Sequence, residues 1–359
     1  MKTIAILTGG GDCPGLNAVI RAVYKTSYSN GIEVYGVKNG FKGLVEDDLF
    51  LLAPKNISGI LPRGGTILGT TNRDNPFNYQ CMDNGEIVYK DMSERALTNL
   101  RQRNIEALIV IGGDGTLKIA SDFSELGFPV VGVPKTIDND LPKTERTFGF
   151  DTAVSIATEA LDRLHTTAES HHRVMILEVM GRYAGWIALH SGIAGGADCI
   201  IIPEIPFKWD SITDKIKRRQ EKGTLFSIIV VAEGATPING QLSVARIVNH
   251  CPETIRLGGV GDKIAHELEN LIGVECRSTV LGHLQRGGSP TAYDRVLSTR
   301  YGEAAVNAII NKRFKTMVAL QNNEIVLVNL VDVVGTPYLV PETHDLIQTG
   351  RSLGISFGD

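Results

Sequence analysis

The chain has 359 residues, 43% hydrophobic and 21% charged, a length suited to two domains and the composition of an ordinary soluble globular protein. Its 36 basic and 40 acidic side chains leave a formal net charge of −4, without the basic excess that nucleic acid or a membrane surface requires. Any anionic ligand must therefore be caught by a local cluster of positive charge. The five cysteines (Cys13, Cys81, Cys199, Cys251 and Cys276) are odd in number and contain no CxxC pair, which predicts reduced thiols and not a disulfide framework or zinc ribbon. No stretch reads as a signal peptide or a bilayer span, so a cytoplasmic protein is expected.

In chain order, short apolar β-branched runs alternate with segments of helical period. Thr3–Leu7 reads as a buried strand, followed by a helix with Leu16, Val19, Ile20 and Val23 on one face and a stop at Asn30-Gly31. Glu33–Val37 is the next strand, and Ala107–Ile111 and Pro129–Val133 are strands flanking a helix over Thr116–Leu126. Val174–Val179, Cys199–Ile202, Leu225–Val231 and Glu275–Val280 continue the strand series, and Ala292–Asn311 is helical. Strands alternating with helices predict a mainly parallel sheet covered on both faces, with ligands beyond the carboxyl ends of the strands. The segment Thr236–Asp262 is polar and turn-rich, as a surface excursion would be.

Three strand ends carry chemistry. The first runs into Thr8-Gly9-Gly10-Gly11-Asp12-Cys13-Pro14-Gly15 and then a helix; glycines admit a phosphate to the backbone and the helix start offers free N–H groups. The Gly-Lys-Ser/Thr ending of a Walker A loop is missing, and a plain strand-to-helix turn is the simpler alternative. The second is Ile111-Gly112-Gly113-Asp114-Gly115-Thr116, where Asp114 is placed to hold Mg²⁺ through water or merely to cap the helix. The third, Pro134-Lys135-Thr136-Ile137-Asp138-Asn139-Asp140, sets two carboxylates two residues apart after a strand. One can orient a metal and the other take a hydroxyl proton, the two services phosphoryl transfer needs beside charge neutralisation; a polar loop with capping aspartates is the alternative. Arg173, Arg182, Arg277, His283 and Arg286 fall near strand ends or turns, where arginine suits a phosphorylated substrate and also ordinary surface ion pairs.

Taken together and in this order, these motifs resemble the 6-phosphofructokinase family from residue 4 to about residue 310. The resemblance rests on Gly9–Arg21, Arg63-Gly64-Gly65-Thr66, Gly112–Thr116, Pro134–Asp140, Glu178-Val179-Met180-Gly181-Arg182 and Gly282-His283-Leu284-Gln285-Arg286-Gly287-Gly288. It implies an α/β fold of two similar Rossmann-like three-layer domains with mainly parallel sheets and the active site in the cleft between them. The nucleotide domain would be residues 1–149 with about 285–336, and the fructose 6-phosphate domain residues 150–284 with about 337–359. It implies Asp138 as the base for the sugar hydroxyl, with Arg182 and Thr136 also catalytic. Gly11, Arg73, Gly112, Gly113, Asp114, Gly115 and Thr116 would hold ATP, and Asp114 with Asp140 would hold Mg²⁺. Thr136, Asp138, Met180, Gly181, Arg182, Glu233, His283 and Arg286 would bind fructose 6-phosphate. Arg173 and Arg277 would reach it from a neighbouring subunit of a homodimer or homotetramer.

Two positions bear on the donor. Lys135 stands where well-known bacterial ATP enzymes have glycine and pyrophosphate enzymes have lysine; Gly115 stands where pyrophosphate enzymes usually have aspartate. The mixture resembles a third group that uses ATP, with pyrophosphate as the alternative donor. Thr224 and Phe226 occupy positions where the effector pocket of the short enzymes is basic. A GGDG-type NAD or lipid kinase does not explain Pro134–Asp140 or Gly282–Gly288. A non-catalytic sugar-phosphate sensor predicts loss of Asp138 or Asp114, and both are present.

Overall fold

The computed structural model describes residues 1–83, 85–247 and 255–359. The chain divides into two compact units: unit one is Met1–Thr136, Leu141–Gly149 and Arg286–Pro337, and unit two is Ile137–Asp140, Phe150–Gln285 and Tyr338–Asp359.

Unit one is built on a seven-stranded sheet in the order Glu324–Asn329, Thr316–Gln321, Val130–Pro134, Ala107–Gly112, Thr3–Thr8, Glu33–Val37 and Leu49–Leu51. The five inner strands run parallel and the two edge strands antiparallel. Thr3–Thr8 and Ala107–Gly112 are buried along their whole length, as their unbroken apolar runs require in a parallel sheet with both faces covered. Helix Leu16–Ser29 packs on helix Ala292–Ile310 so closely that a Cβ at Gly302 would lie 2.8 Å from the Val19 carbonyl oxygen. Phe41, Leu44, Leu97, Leu100, Leu117 and Phe123 form a core with strand residues such as Leu7 and Val110. After Thr3–Thr8 the chain adds strands on one side, then returns to add Ala107–Gly112 on the other. The carboxyl ends of these two strands are therefore the topological switch point of the sheet.

Unit two has an all-parallel four-stranded sheet in the order Cys276–Val280, Val174–Val179, Ser227–Ala232 and Cys199–Ile201. Ile212, Ile216, Ile264 and Leu268, from helices Trp209–Glu221 and Val260–Ile272, pack against Ile176, Ile201, Ile229 and Val231. Helices Phe150–His171 and Trp186–Ala194 supply further buried apolar residues.

The polar excursion contains an antiparallel pair, Val244–Ile247, exposed throughout, with the partly covered Ile255–Leu257. It is shorter than the sequence predicts: Val260 and Gly261 are buried at the start of their helix, so the excursion stops at Gly259 and not at Asp262. Cys251 lies outside the described residues; Cys13, Cys81, Cys199 and Cys276 are free thiols. Among the described residues no helix is long and apolar enough to cross a membrane.

Candidate active site

In unit one, the two glycine turns are stitched together where Gly9 N–H donates to the Ile111 carbonyl at 2.9 Å. Thr116, on the first turn of helix Asp114–Glu125, fills the space beside both. A Cβ on Gly112 would lie 2.2 Å from the Thr116 Cβ, and one on Gly9 2.6 Å from its Cγ2. Packing therefore dictates glycine at both positions. Gly115 differs: a Cβ there meets nothing within 4 Å and its backbone is outside the left-handed region. The fold does not need glycine at 115, and the open side faces solvent. Asp114 accepts from the Gly335 N–H at 2.7 Å through Oδ1, and its charge suits the helix start.

Cations fasten the Gly9–Asp12 loop. Lys135 Nζ donates to the Gly11 carbonyl at 2.5 Å and Arg286 Nη1 to the Asp12 carbonyl at 3.1 Å. A Cβ on Gly11 would come 2.7 Å from Arg286 Nη1, so glycine here admits the guanidinium. Gly10 N–H donates to the Thr71 carbonyl at 3.0 Å and Thr70 Oγ1 to the Gly10 carbonyl at 2.6 Å, which brings the turn bearing exposed Arg73 to the loop. Unit one thus gathers Gly11, Arg73, Gly112–Thr116, Lys135 and Arg286 at its switch point. Buried Thr136 follows, its carbonyl accepting from Thr147 Oγ1 at 2.7 Å. Burial pushes the Cys13 thiol far up, so it is no thiolate nucleophile despite its place in the loop.

In unit two, buried Asp138 precedes Asn139, whose φ of 53° turns the chain sharply. The Met180–Arg182 turn leaves the end of strand Val174–Val179, with Gly181 at φ 139° and a Cβ there only 2.5 Å from the Ala184 carbonyl oxygen. Arg182 N–H donates to Glu233 Oε1 at 3.2 Å. The Glu233 carboxyl is pushed up to about 7, first by burial and next by the negative charge of Asp138, against the pull of the Arg182 N–H.

Two residues that the sequence motifs include without assigning them a role fix the surroundings of this turn. Gln285, fully buried, accepts from Met180 N–H at 2.9 Å and so ties the short turn bearing His283 to the Met180–Arg182 turn. Glu178 accepts from Gly259 N–H at 3.0 Å and Gly261 N–H at 2.8 Å, fixing the start of helix Val260–Ile272. The available signal was a carboxylate inside an apolar strand, which demands partners when buried.

Residues 3–309 match the family described as Phosphofructokinase. The chain belongs to the phosphofructokinase family. It is similar to ATP-dependent 6-phosphofructokinase 2 of Clostridium perfringens, with 57% identity over 362 residues covering 100% of this chain and 99% of that one. The pyrophosphate–fructose 6-phosphate 1-phosphotransferase of Amycolatopsis mediterranei is 50% identical over 343 residues, 94% of this chain and 96% of that one. Among solved structures, Pichia pastoris phosphofructokinase in the T-state superposes with a TM-score of 0.78 at 34% identity, over 92% of this chain and 35% of that one.

For a phosphofructokinase, the placing of Arg173 and Arg277 is informative. Arg173 precedes Val174 and Arg277 is in register with Met175, at the amino ends of their strands, whereas Met180 and His283 follow the carboxyl ends. Strands of this length separate the two ends by roughly 17–20 Å. The two arginines share Glu275: Arg173 Nε pairs with it at 2.7 Å, and Arg277 pairs with it and with Glu269 at 3.0 Å. They do not join the Met180–Arg182 turn of their own chain.

Asp114, at the start of helix Asp114–Glu125, is a hard oxygen donor of the kind Mg²⁺ takes. Among the described residues no three acidic, histidine or cysteine side chains form a closed metal cluster, and Mg²⁺ is usually held by one or two carboxylates together with substrate phosphates. Arg219, beside Phe226, is already engaged: it pairs with Asp198 at 2.6 Å and lies 5.7 Å from the Phe226 ring centre.

Proposed function

We propose that this phosphofructokinase is ATP-dependent and cytoplasmic, transferring the γ-phosphoryl group of ATP to the 1-hydroxyl of fructose 6-phosphate in glycolysis. The observation that carries the donor is the open space at Gly115. Where Thr116 forces glycine at 9 and 112, nothing among the described residues forces it at 115, so the missing side chain serves the ligand. Glycine leaves room for the α-phosphate and ribose of ATP, where an aspartate would add bulk and like charge. Gly11 and Gly112–Thr116 offer backbone N–H groups and a helix start to the phosphates, with Arg73 and Lys135 adding positive charge.

Asp138 takes the proton of the 1-hydroxyl as its oxygen attacks the γ-phosphorus, and ADP leaves with the electron pair of the broken P–O bond. Arg182 and Thr136 orient the reacting groups. Met180, Gly181, Glu233, His283 and Arg286 bind the sugar phosphate. Asp114 and Asp140 would hold Mg²⁺ beside the donor phosphates, and the ion when bound would supply charge neutralisation. Arg173 and Arg277 serve the sugar phosphate of a neighbouring subunit in a homodimer or homotetramer, a role supported by their distance from the sugar turn of their own chain.

Lys135 and the Amycolatopsis relative favour a second reading, pyrophosphate as donor. Purified protein with fructose 6-phosphate and Mg²⁺, given ATP or pyrophosphate, decides between them by the fructose 1,6-bisphosphate formed. Activity with ATP and little with pyrophosphate is expected; activity with pyrophosphate alone overturns the reading.

A further inference from the structure

Unit two contains a short crossing segment that none of these roles uses. The chain enters unit two for the last time at Tyr338 and runs to Val340 before helix Asp345–Ser352. This strap touches the base turn directly: Tyr338 N–H donates to the Asp140 carbonyl at 2.7 Å. It is held from beneath by Trp186, 2% exposed, whose ring stacks on Tyr338 with centres 5.0 Å apart and whose Nε1–H donates to the Tyr338 carbonyl at 2.8 Å. His344 meets the Trp186 ring edge-on at 5.1 Å.

The other end of the strap is held by Glu204. Its Oε1 accepts from Val340 N–H at 2.8 Å and from Gly185 N–H at 2.9 Å. Gly185 closes the turn that carries Gly181 and Arg182, and a Cβ there would come 2.4 Å from the Ile202 Cβ and 2.8 Å from Glu204 Oε2, so glycine makes room for both side chains. One half-buried carboxylate therefore grips the Gly181–Gly185 turn at Gly185 and the strap at Val340, while the strap grips the Asp138–Asp140 turn at Asp140. A charged acceptor makes these bonds stronger than neutral ones.

We propose that Glu204 and the strap Tyr338–Val340 are positioning elements, holding the Asp138–Asp140 turn in fixed relation to the Gly181–Arg182 turn. Neither touches substrate. The inference rests on the reading of Asp138 as base and Arg182 as sugar ligand. An error of about 1 Å between base and substrate is enough to cost on the order of 100-fold in rate. Loss of the clasp therefore acts on turnover, and leaves ATP binding by the residues of unit one intact.

The test uses the full-length enzyme, whose activity with ATP and fructose 6-phosphate first checks the underlying reading independently. Glu204→Ala removes the clasp; Glu204→Gln keeps Oε1 as an acceptor. Glu204→Ala is expected to lower kcat about tenfold or more with KM for ATP unchanged, and Glu204→Gln to restore kcat to within about threefold. In a Trp209→Phe background Trp186 is the sole tryptophan, and its emission should shift to the red in Glu204→Ala as the strap lifts from its ring. Trp186→Phe, which keeps a ring under Tyr338 but removes the Nε1–H, should also lower kcat with KM for ATP unchanged; it decides the matter if Glu204→Ala does not fold. A folded Glu204→Ala with wild-type kcat, or Trp186→Phe with wild-type kcat, overturns the proposal, as does equal damage from the Ala and Gln variants.

Discussion

Thr116 occupies the space that a side chain at Gly112 would need, with its Cβ 2.2 Å from where a Cβ at 112 would sit. Gly115, three residues further on in the same turn, borders no such atom. The pair separates folding from donor binding. Gly112→Ala should cost about 1–3 kcal/mol of stability, as overpacking does, and lower activity through the displaced helix start. Gly115→Asp should leave stability within about 0.5 kcal/mol, as expected of an exposed site. It should cut kcat/KM for ATP by about 100-fold or more, since like-charge juxtaposition costs several kcal/mol. Thermal unfolding beside steady-state kinetics distinguishes the two, and a Gly115→Asp enzyme with normal ATP kinetics would refute the donor argument.

Asp138→Ser should lower kcat by about 10²–10⁴, the usual worth of a positioned base. Affinity for fructose 6-phosphate, measured by calorimetry, should change little, because other groups bind the phosphate. Turnover near the wild-type value would remove Asp138 from its role.

Glu233 titrates near neutrality, at about 7 in the folded chain against an ordinary 4.5. Because the folded value is the higher, its protonated form favours the fold; that contribution is full below about 4.5 and is lost as pH rises through about 7. For binding, the charged carboxylate is the better acceptor for sugar hydroxyls. KM for fructose 6-phosphate should therefore rise as pH falls through 7, and Glu233→Gln should flatten that dependence. A wild-type KM that is level across this range contradicts the assignment.

The separation of Arg173 and Arg277 from the sugar turn of their own chain makes a prediction about mixed oligomers. Asp138→Ser and the double variant Arg173→Ala, Arg277→Ala should each be nearly inactive. Dissociated and reassembled together, they should regain activity, because some sites then pair an intact Asp138 with intact arginines from the neighbour. No recovery, with mixed oligomers verified by mass spectrometry, would place all functional groups in one chain.

The strand series and the three glycine- and aspartate-rich strand ends are legible in the sequence for a local reason. Apolar β-branched runs have few alternatives to a buried strand, and glycine beside aspartate at a strand end is a short-range signal of backbone shape and charge. Residues 9–15, 112–116 and 134–140 could be found without knowing what they touch. The tertiary structure alone decided why four of these glycines differ: Thr116 explains Gly9 and Gly112, Arg286 explains Gly11, and nothing among the described residues explains Gly115. It also decided that Ile137–Asp140 belong with unit two, that Arg173 and Arg277 lie at the far end of their strands, that Gln285 and Glu204 hold the Met180–Gly185 turn, and that Glu178 fixes the start of helix Val260–Ile272. These facts depend on pairs such as Met180 with Gln285 and Glu204 with Val340, more than a hundred positions apart in the chain. Such pairs meet only after the sheets have set strand order and register, and a local pattern carries no information about which distant residue a buried polar atom will meet.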